Sequence, residues 1–226
     1  MRTKALLLAA AFSAAGIASS MAQANVYSLN VVGYNNLTLT NGFNLVANQL
    51  DLDGTGVNNT IYTTLGTNVP NATRAYAFSG GGFVFTTFNA GTLTWIGSGL
   101  AAVNTALQPG GGVFVSIPAA ASYPQTVTLV GNVMQGALNT PIAAAYQLVS
   151  SKVPQLGLMK TDLGFTPVST DKVYQFLAGS QTYGGAHTYN AGTGTWLGGE
   201  PSLAVGESVF LLGHAGSTWS RNFTVP

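Results

Sequence analysis

Hydrophobic and polar residues alternate with period two over most of this chain, the spacing that puts successive side chains on opposite faces of a β-strand. Tyr27, Leu29 and Val31 fall on one face with Ser28 and Asn30 on the other, and Tyr76 with Phe78, Tyr174 with Phe176, and Val113 with Val115 continue the pattern. Glycine clusters punctuate it at Gly80-Gly81-Gly82, Pro109-Gly110-Gly111-Gly112 and Gly184-Gly185. Such turns call for positive φ angles that side-chain-bearing residues avoid. Helix is expected only as short turns over Asn58 to Leu65, where Ile61 and Leu65 lie one turn apart, and in the matching stretch before Leu163. Short strands joined by tight turns predict an all-β fold of two tandem, diverged β-sandwich-like or small-barrel repeats. An outer-membrane barrel is the weaker alternative, because its strands alternate over about ten residues between aromatic girdles.

The duplication is read from one strong internal match. Phe88-Asn89-Ala90-Gly91-Thr92-Leu93-Thr94-Trp95-Ile96-Gly97 aligns with Tyr189-Asn190-Ala191-Gly192-Thr193-Gly194-Thr195-Trp196-Leu197-Gly198. Other landmarks follow in the same order. Phe43-Asn44-Leu45-Val46 matches Tyr146-Gln147-Leu148-Val149, and Leu65-Gly66 matches Leu163-Gly164. Arg74 to Phe78 matches Lys172 to Phe176, and Gly110, Val113 and Phe114 match Gly206, Val209 and Phe210. The expected division is residues 1–24 as a signal peptide, 25–131 as the first unit and 132–226 as the second. Val127 to Gly131 also resembles Leu29 to Gly33, which raises a strand shared at the junction, or exchanged between molecules, as an alternative to ordinary strands of similar composition.

The first residues change the picture of location. Arg2 and Lys4 precede an apolar stretch from Ala5 to Ile17, and Ala22-Gln23-Ala24 offers the small residues a signal peptidase accepts, so a mature start at Asn25 is expected. The apolar stretch is shorter than the roughly 20 residues a membrane-crossing helix needs. Export to the cell surface or the extracellular space is expected, with the periplasm as an alternative. Cysteine is absent, so no disulfide braces the fold, and thiolate chemistry is excluded. Charged residues make up only 6% of the chain, against about 25% in an ordinary soluble domain. Without Arg2 and Lys4, five basic residues face six acids, a balance that argues against nucleic acid as a partner. Little charge remains to oppose self-association.

Val26 to Tyr34, Gly42-Phe43-Asn44-Leu45-Val46-Ala47-Asn48 and Pro109-Gly110-Gly111-Gly112-Val113-Phe114-Val115 together resemble a group of uncharacterised secreted bacterial proteins, over nearly the whole mature chain. They are also similar to β-sandwich modules of bacterial surface proteins. The resemblance implies fold and location and brings no activity with it. Glu207 and Ser208 stand in the second unit where the first has Gly111 and Gly112.

Candidate chemistry is sparse. Asp51 and Asp53 are the closest pair of carboxylates, the residue type a glycosidase needs. Asp51-Leu52-Asp53-Gly54-Thr55-Gly56 also has the opening of a calcium loop, although an EF-hand would carry a carboxylate where Tyr62 stands. Solvation and turn formation are the plainer roles. His187 and His214 with Ser208 and Asp171 would supply the groups of a hydrolytic triad, yet no Gly-x-Ser-x-Gly elbow occurs and the repeat places Thr86 opposite His187 and Pro118 opposite His214. Trp95 and Trp196 are the candidate ligand-binding residues, because equivalent tryptophans in repeated modules could stack on sugars with avidity. Core packing with a satisfied N–H is their ordinary role. The expectation is therefore a non-enzymatic exported structural or interaction protein without a cofactor, whose partner is another copy of itself or a surface polysaccharide. A carbohydrate-binding module or adhesin is the alternative, and a secreted hydrolase the third.

Overall fold

A computed structural model describes residues 31–97, 105–119, 121 and 124–225. The expected signal peptide and the alternating residues Tyr27 to Asn30 lie outside this range. From Val31 onward the chain packs as one unit. Its strands are β1 (Val32–Leu39), β2 (Gly42–Ala47), β3 (Arg74–Ser79), β4 (Gly82–Asn89), β5 (Thr94–Gly97), β6 (Gly112–Ile117) and β7 (Gln125–Asn132), with the helix α1 (Ile61–Leu65) between β2 and β3. There follow β8 (Gly136–Ile142), β9 (Tyr146–Val149), β10 (Gly157–Leu158), β11 (Lys172–Tyr174), β12 (Phe176–Leu177) and β13 (Thr182–Tyr183). The last are β14 (His187–Asn190), β15 (Thr195–Leu197), β16 (Ser202–Leu203), β17 (Val209–Leu212) and β18 (Ser217–Phe223). The fold is all-β and sandwich-like.

Two five-stranded antiparallel sheets dominate, in the orders β2-β6-β3-β4-β5 and β15-β14-β11-β17-β9. Neither closes into a barrel, since β2 and β5 edge the first and β15 and β9 the second. Each sheet is backed by a two-stranded ribbon, β1 with β7 and β8 with β18. The strand at the junction is not shared within the chain: β7 pairs with β1 from Val32↔Asn132 to Leu39↔Gln125, and β8 pairs with β18. The expected boundary after Gly131 falls inside β7.

Alternation explains why the ribbons sit where they do. Leu37 and Leu39 of β1 and Val127 and Leu129 of β7 point inward. They meet Val46, Val113, Val115, Ile117, Phe88 and Trp95 of the first sheet in one core. A second core gathers Ile142, Val149, Val173, Tyr189, Trp196, Val209, Leu211 and Trp219.

The repeated Asn-Ala-Gly-Thr motif is a turn. Phe88↔Trp95 and Tyr189↔Trp196 are cross-strand pairs in the two hairpins, followed by Asn89↔Thr94 and Asn190↔Thr195. In each, the Asn side chain accepts from the glycine N–H two residues on at 2.9 Å. Leu93 and Gly194 take the positive φ that closes the loop, 53° and 69°. The polar residue after the aromatic of β2 and β9 is a second shared device. Asn44 bonds the backbone of Thr40, and Gln147 that of Ala143, bracing the turn into each sheet.

Helix forms in the first expected stretch only. Thr60 and Thr63 make a reciprocal capping box at α1. Before Leu163 the chain makes turns instead. There the Glu200 carboxylate takes the Lys160 and Thr161 N–H groups, and Gly164 at φ 75° ends the segment after a single turn.

The two halves meet along a reciprocal seam. Val46 bridges to Glu207 and Val149 to Gly111, while Ala47 N–H donates to the Gly206 carbonyl and Ser150 N–H to the Gly110 carbonyl, both at 2.8 Å. These are the Pro-Gly-Gly-Gly turn and its counterpart, each laid against the second strand of the other half. Their difference in sequence has a steric reason. A Cβ on Gly112 would stand 2.0 Å from the Ser208 Oγ, so only one of the two equivalent positions has room for a side chain. Ser208 Oγ donates to the Val149 carbonyl at 3.1 Å, and Glu207 accepts from the Ala204 N–H at 2.9 Å, closing its own turn.

Candidate functional site: an aromatic cleft between the first sheet and a hairpin

A strand that fills a core on one face commonly carries polar residues on the other. Several strands here do not. On β6, Phe114 lies between the core residues Val113 and Val115, and on β3, Tyr76 and Phe78 alternate with the core residues Ala75 and Ala77. Phe43 of β2 and Phe83 and Phe85 of β4 extend this aromatic face, and Tyr146, Tyr174 and Phe210 lie on the corresponding strands of the second sheet. The β12–β13 hairpin adds Phe176 and Tyr183.

These rings converge. Phe43, Tyr76, Phe83, Phe114, Phe176 and Tyr183 line a cleft of about 310 Å³. Phe114 is its floor, 6% exposed, while Phe43, Phe83 and Tyr183 form an open rim at 39%, 46% and 42%. Neighbours meet edge to face: Phe43–Phe114 at 6.0 Å and 86°, Phe83–Phe114 at 5.8 Å and 68°, Phe114–Phe176 at 5.0 Å and 87°. Phe78 of the first sheet reaches Phe210 of the second at 5.0 Å and 90°. Edge-to-face contact suits the ring quadrupole and holds the rings as a nest rather than a flat platform. Burial pushes the Tyr183 phenol above its usual range, and does the same at Tyr174 with a smaller contribution from Tyr146, so both are neutral at physiological pH. Beside the cleft the Arg74 guanidinium lies 5.6 Å from the Phe85 ring centre.

The expected ligand-binding tryptophans lie elsewhere. Trp95 and Trp196 are 3% and 8% exposed and packed in the two cores, so neither presents a ring face to a sugar. Trp95 donates its indole N–H to the Gly66 carbonyl at 2.7 Å, whereas the Trp196 N–H is buried without a partner.

The imagined triad is dispersed as well. Ser208 is fully buried at the seam. Asp171 accepts from the backbone N–H groups of Val168 and His214, both at 2.8 Å, and so binds the main chain of His214 rather than its ring. His187 Nδ1 lies 2.9 Å from the Gly199 carbonyl oxygen. Asp51 and Asp53 also hold their loop: Asp51 accepts from Asn59 and from the Gly56 N–H, and Asp53 from Thr55 and Asn58. Among the described residues no three His, Asp or Glu side chains gather as a metal site.

The Thr55 and Asn58 side-chain hydrogen bonds lower the Asp53 carboxyl below its usual value. A lowered folded-state pKa means that this brace is present above the unfolded value and lost as pH falls through the folded one. The Asp53 carboxyl is expected to titrate below 3.8 by NMR, and Asn58→Ala to move the midpoint upward. An unmoved midpoint would show that Asn58 does not brace it.

The signal that would have found the cleft was the row of aromatics at matched positions, Phe43 with Tyr146, Tyr76 with Tyr174, Phe78 with Phe176 and Phe114 with Phe210. They lie on the strand face opposite the core, which period-two alternation marks but does not assign to any cover. Fold and cleft together define an all-β, sandwich-like protein dominated by two five-stranded sheets, with an aromatic cleft. Compared with protein-family models, with curated proteins and with solved structures, the chain gives no match.

Proposed function

We propose that this chain is a non-enzymatic exported interaction protein of the cell surface or extracellular matrix, which holds an apolar or aromatic group of its partner in the cleft. The observation that carries this reading is the convergence of six aromatic side chains, four from the first sheet and two from the β12–β13 hairpin, on one open, neutral cavity. Its volume falls in the range of small-molecule and side-chain pockets, about 300–1,000 Å³. The non-enzymatic part is supported by the employment of Ser208, Asp171, Asp51 and Asp53 in backbone and loop hydrogen bonds. A polysaccharide partner draws no support from the two buried tryptophans, and the ring nest offers it no flat stacking surface.

Nile red, a neutral dye that brightens in apolar surroundings, tests the site. Phe83→Ser at the rim is expected to weaken dye binding about tenfold or more, the factor that about 1.4 kcal/mol of lost apolar contact gives, with an unchanged melting temperature. Equal binding by both proteins rejects the cleft as the site.

Self-association is a second reading, favoured by a chain that is only 6% charged and by the exposed aromatic rim. Light scattering of the purified protein across concentrations decides it. Discrete oligomers that Phe83→Ser dissolves support it, and a monomer at every concentration rejects it.

A further inference from the structure

One wall of the cleft is tied across to the opposite sheet by a single side chain. β2 is an outermost strand, so part of its backbone faces away from the sheet, where edge groups accept any suitable partner. At Phe43 that partner is the Gln181 amide, from the turn of the β12–β13 hairpin. Gln181 Oε1 accepts from the Phe43 N–H at 2.7 Å, and Nε2 donates to the Phe43 carbonyl at 3.0 Å. The same Nε2 reaches the Asn41 carbonyl at 3.3 Å and the Ala178 carbonyl at 2.6 Å, the last within the hairpin itself. One primary amide thus does for Phe43 what the peptide unit of a neighbouring strand would do.

The contact is built from both sides. Gln181 holds φ 55°, a region that side-chain-bearing residues rarely adopt. Gly42 sits beneath it at φ 80°, where a Cβ would come within 2.4 Å of Oε1.

The hairpin is thinly held otherwise. Its strands pair through Phe176↔Tyr183 and Leu177↔Thr182, with one further bond from the Gly184 N–H to the Gln175 carbonyl at 2.9 Å, and Leu177 and Tyr183 are exposed. Few buried contacts and solvent-exposed backbone hydrogen bonds are the features of segments that open first. Yet this hairpin carries Phe176 and Tyr183, the cleft wall that faces Phe114.

We infer that the β12–β13 hairpin is a strap across the aromatic cleft, latched to the edge of the first sheet by the Gln181 amide, and that unlatching it widens the cleft for a partner. The widening rests on the proposed role of the cleft, whereas the latch rests on the hydrogen bonds alone.

Gln181→Glu tests it with little change of shape, setting a carboxylate oxygen against the Asn41, Phe43 and Ala178 carbonyls. Gln181→Ala removes the contact altogether. Hydrogen exchange is followed on the whole chain. In both variants the amides of Phe43, Ser180 and Gly184 are expected to exchange about tenfold faster, the factor for about 1.4 kcal/mol of lost hydrogen bonding, while those of Val113 and Val115 in the core are unchanged. Nile red is expected to bind both variants more tightly than the native protein.

Unchanged exchange at the hairpin overturns the latch, because the aromatic contacts alone would then be holding it. Equal acceleration in the core overturns it too, since Gln181 would be a support of the whole fold. Faster hairpin exchange with unaltered dye binding overturns the strap over the cleft. A native protein that binds no dye, with faster hairpin exchange in the variants, rejects the proposed cleft function and leaves the latch standing.

Discussion

Gly112→Ala is expected to destabilise the protein by about 1–3 kcal/mol, the usual cost of forcing a methyl group into a packed site. The cause is local and steric. The new Cβ would lie 2.0 Å from Ser208 Oγ, 2.7 Å from Ser208 Cβ and 3.1 Å from Leu148 Cβ, so the seam between the halves must part. Ser208→Gly alone should cost about 1 kcal/mol through the lost hydrogen bond to the Val149 carbonyl. Combined, the two changes exchange the occupants of the seam and should be less harmful than their sum, with a coupling above the 0.5 kcal/mol or so seen for independent sites. Denaturant unfolding of the four proteins measures this cycle, and additive losses would mean that Gly112 and Ser208 do not compete for the same space.

Trp95→Ala should cost about 3–5 kcal/mol, a large share of the stability of any domain of ordinary size. Trp95 is packed against Phe88 at 5.4 Å and fills the first core. The more telling comparison is with phenylalanine. Trp95→Phe loses the bond to the Gly66 carbonyl and leaves that oxygen without its indole donor, whereas Trp196→Phe removes an N–H that is buried without a partner. An unmet buried donor costs about 1–3 kcal/mol, so Trp196→Phe should be the milder change despite the matched positions. If thermal or denaturant melts give the two substitutions equal losses, the difference in hydrogen bonding carries no energetic weight.

The Asn-Ala-Gly-Thr motif that both halves carry is legible because its chemistry is local. Asn89 and Asn190 bond their own turns, a residue at positive φ follows, and a tryptophan then enters the core, all within ten residues. The stretch before Leu163 makes a single turn, closed by the Asp162 N–H to the Leu158 carbonyl, and goes no further because Gly164 at φ 75° stops it. What the local pattern does not show is that Glu200, far along the chain, caps this turn by taking the Lys160 and Thr161 N–H groups, which a first turn leaves without acceptors of its own. Trp95 and Trp196 were legible as a pair but not as buried or exposed, since alternation gives the phase of a strand and not which face is covered. The same gap hid the cleft. Phe78, Phe114 and Phe210 read as strand aromatics, and only the tertiary structure shows that Phe78 meets Phe210 of the second sheet and Phe114 meets Phe176 of the hairpin.

The sequence by itself determined the local elements: strands from period two, turns from Gly and Asn, and an all-β class from their density, because each depends on residues a few positions apart. The tertiary structure alone decided which strand face became core, why Gly112 must face Ser208, and how Gln181 reaches Phe43. Those outcomes depend on atoms brought together from distant parts of the chain, with 138 residues separating Gln181 from Phe43, and no local pattern of polarity encodes which surfaces will meet.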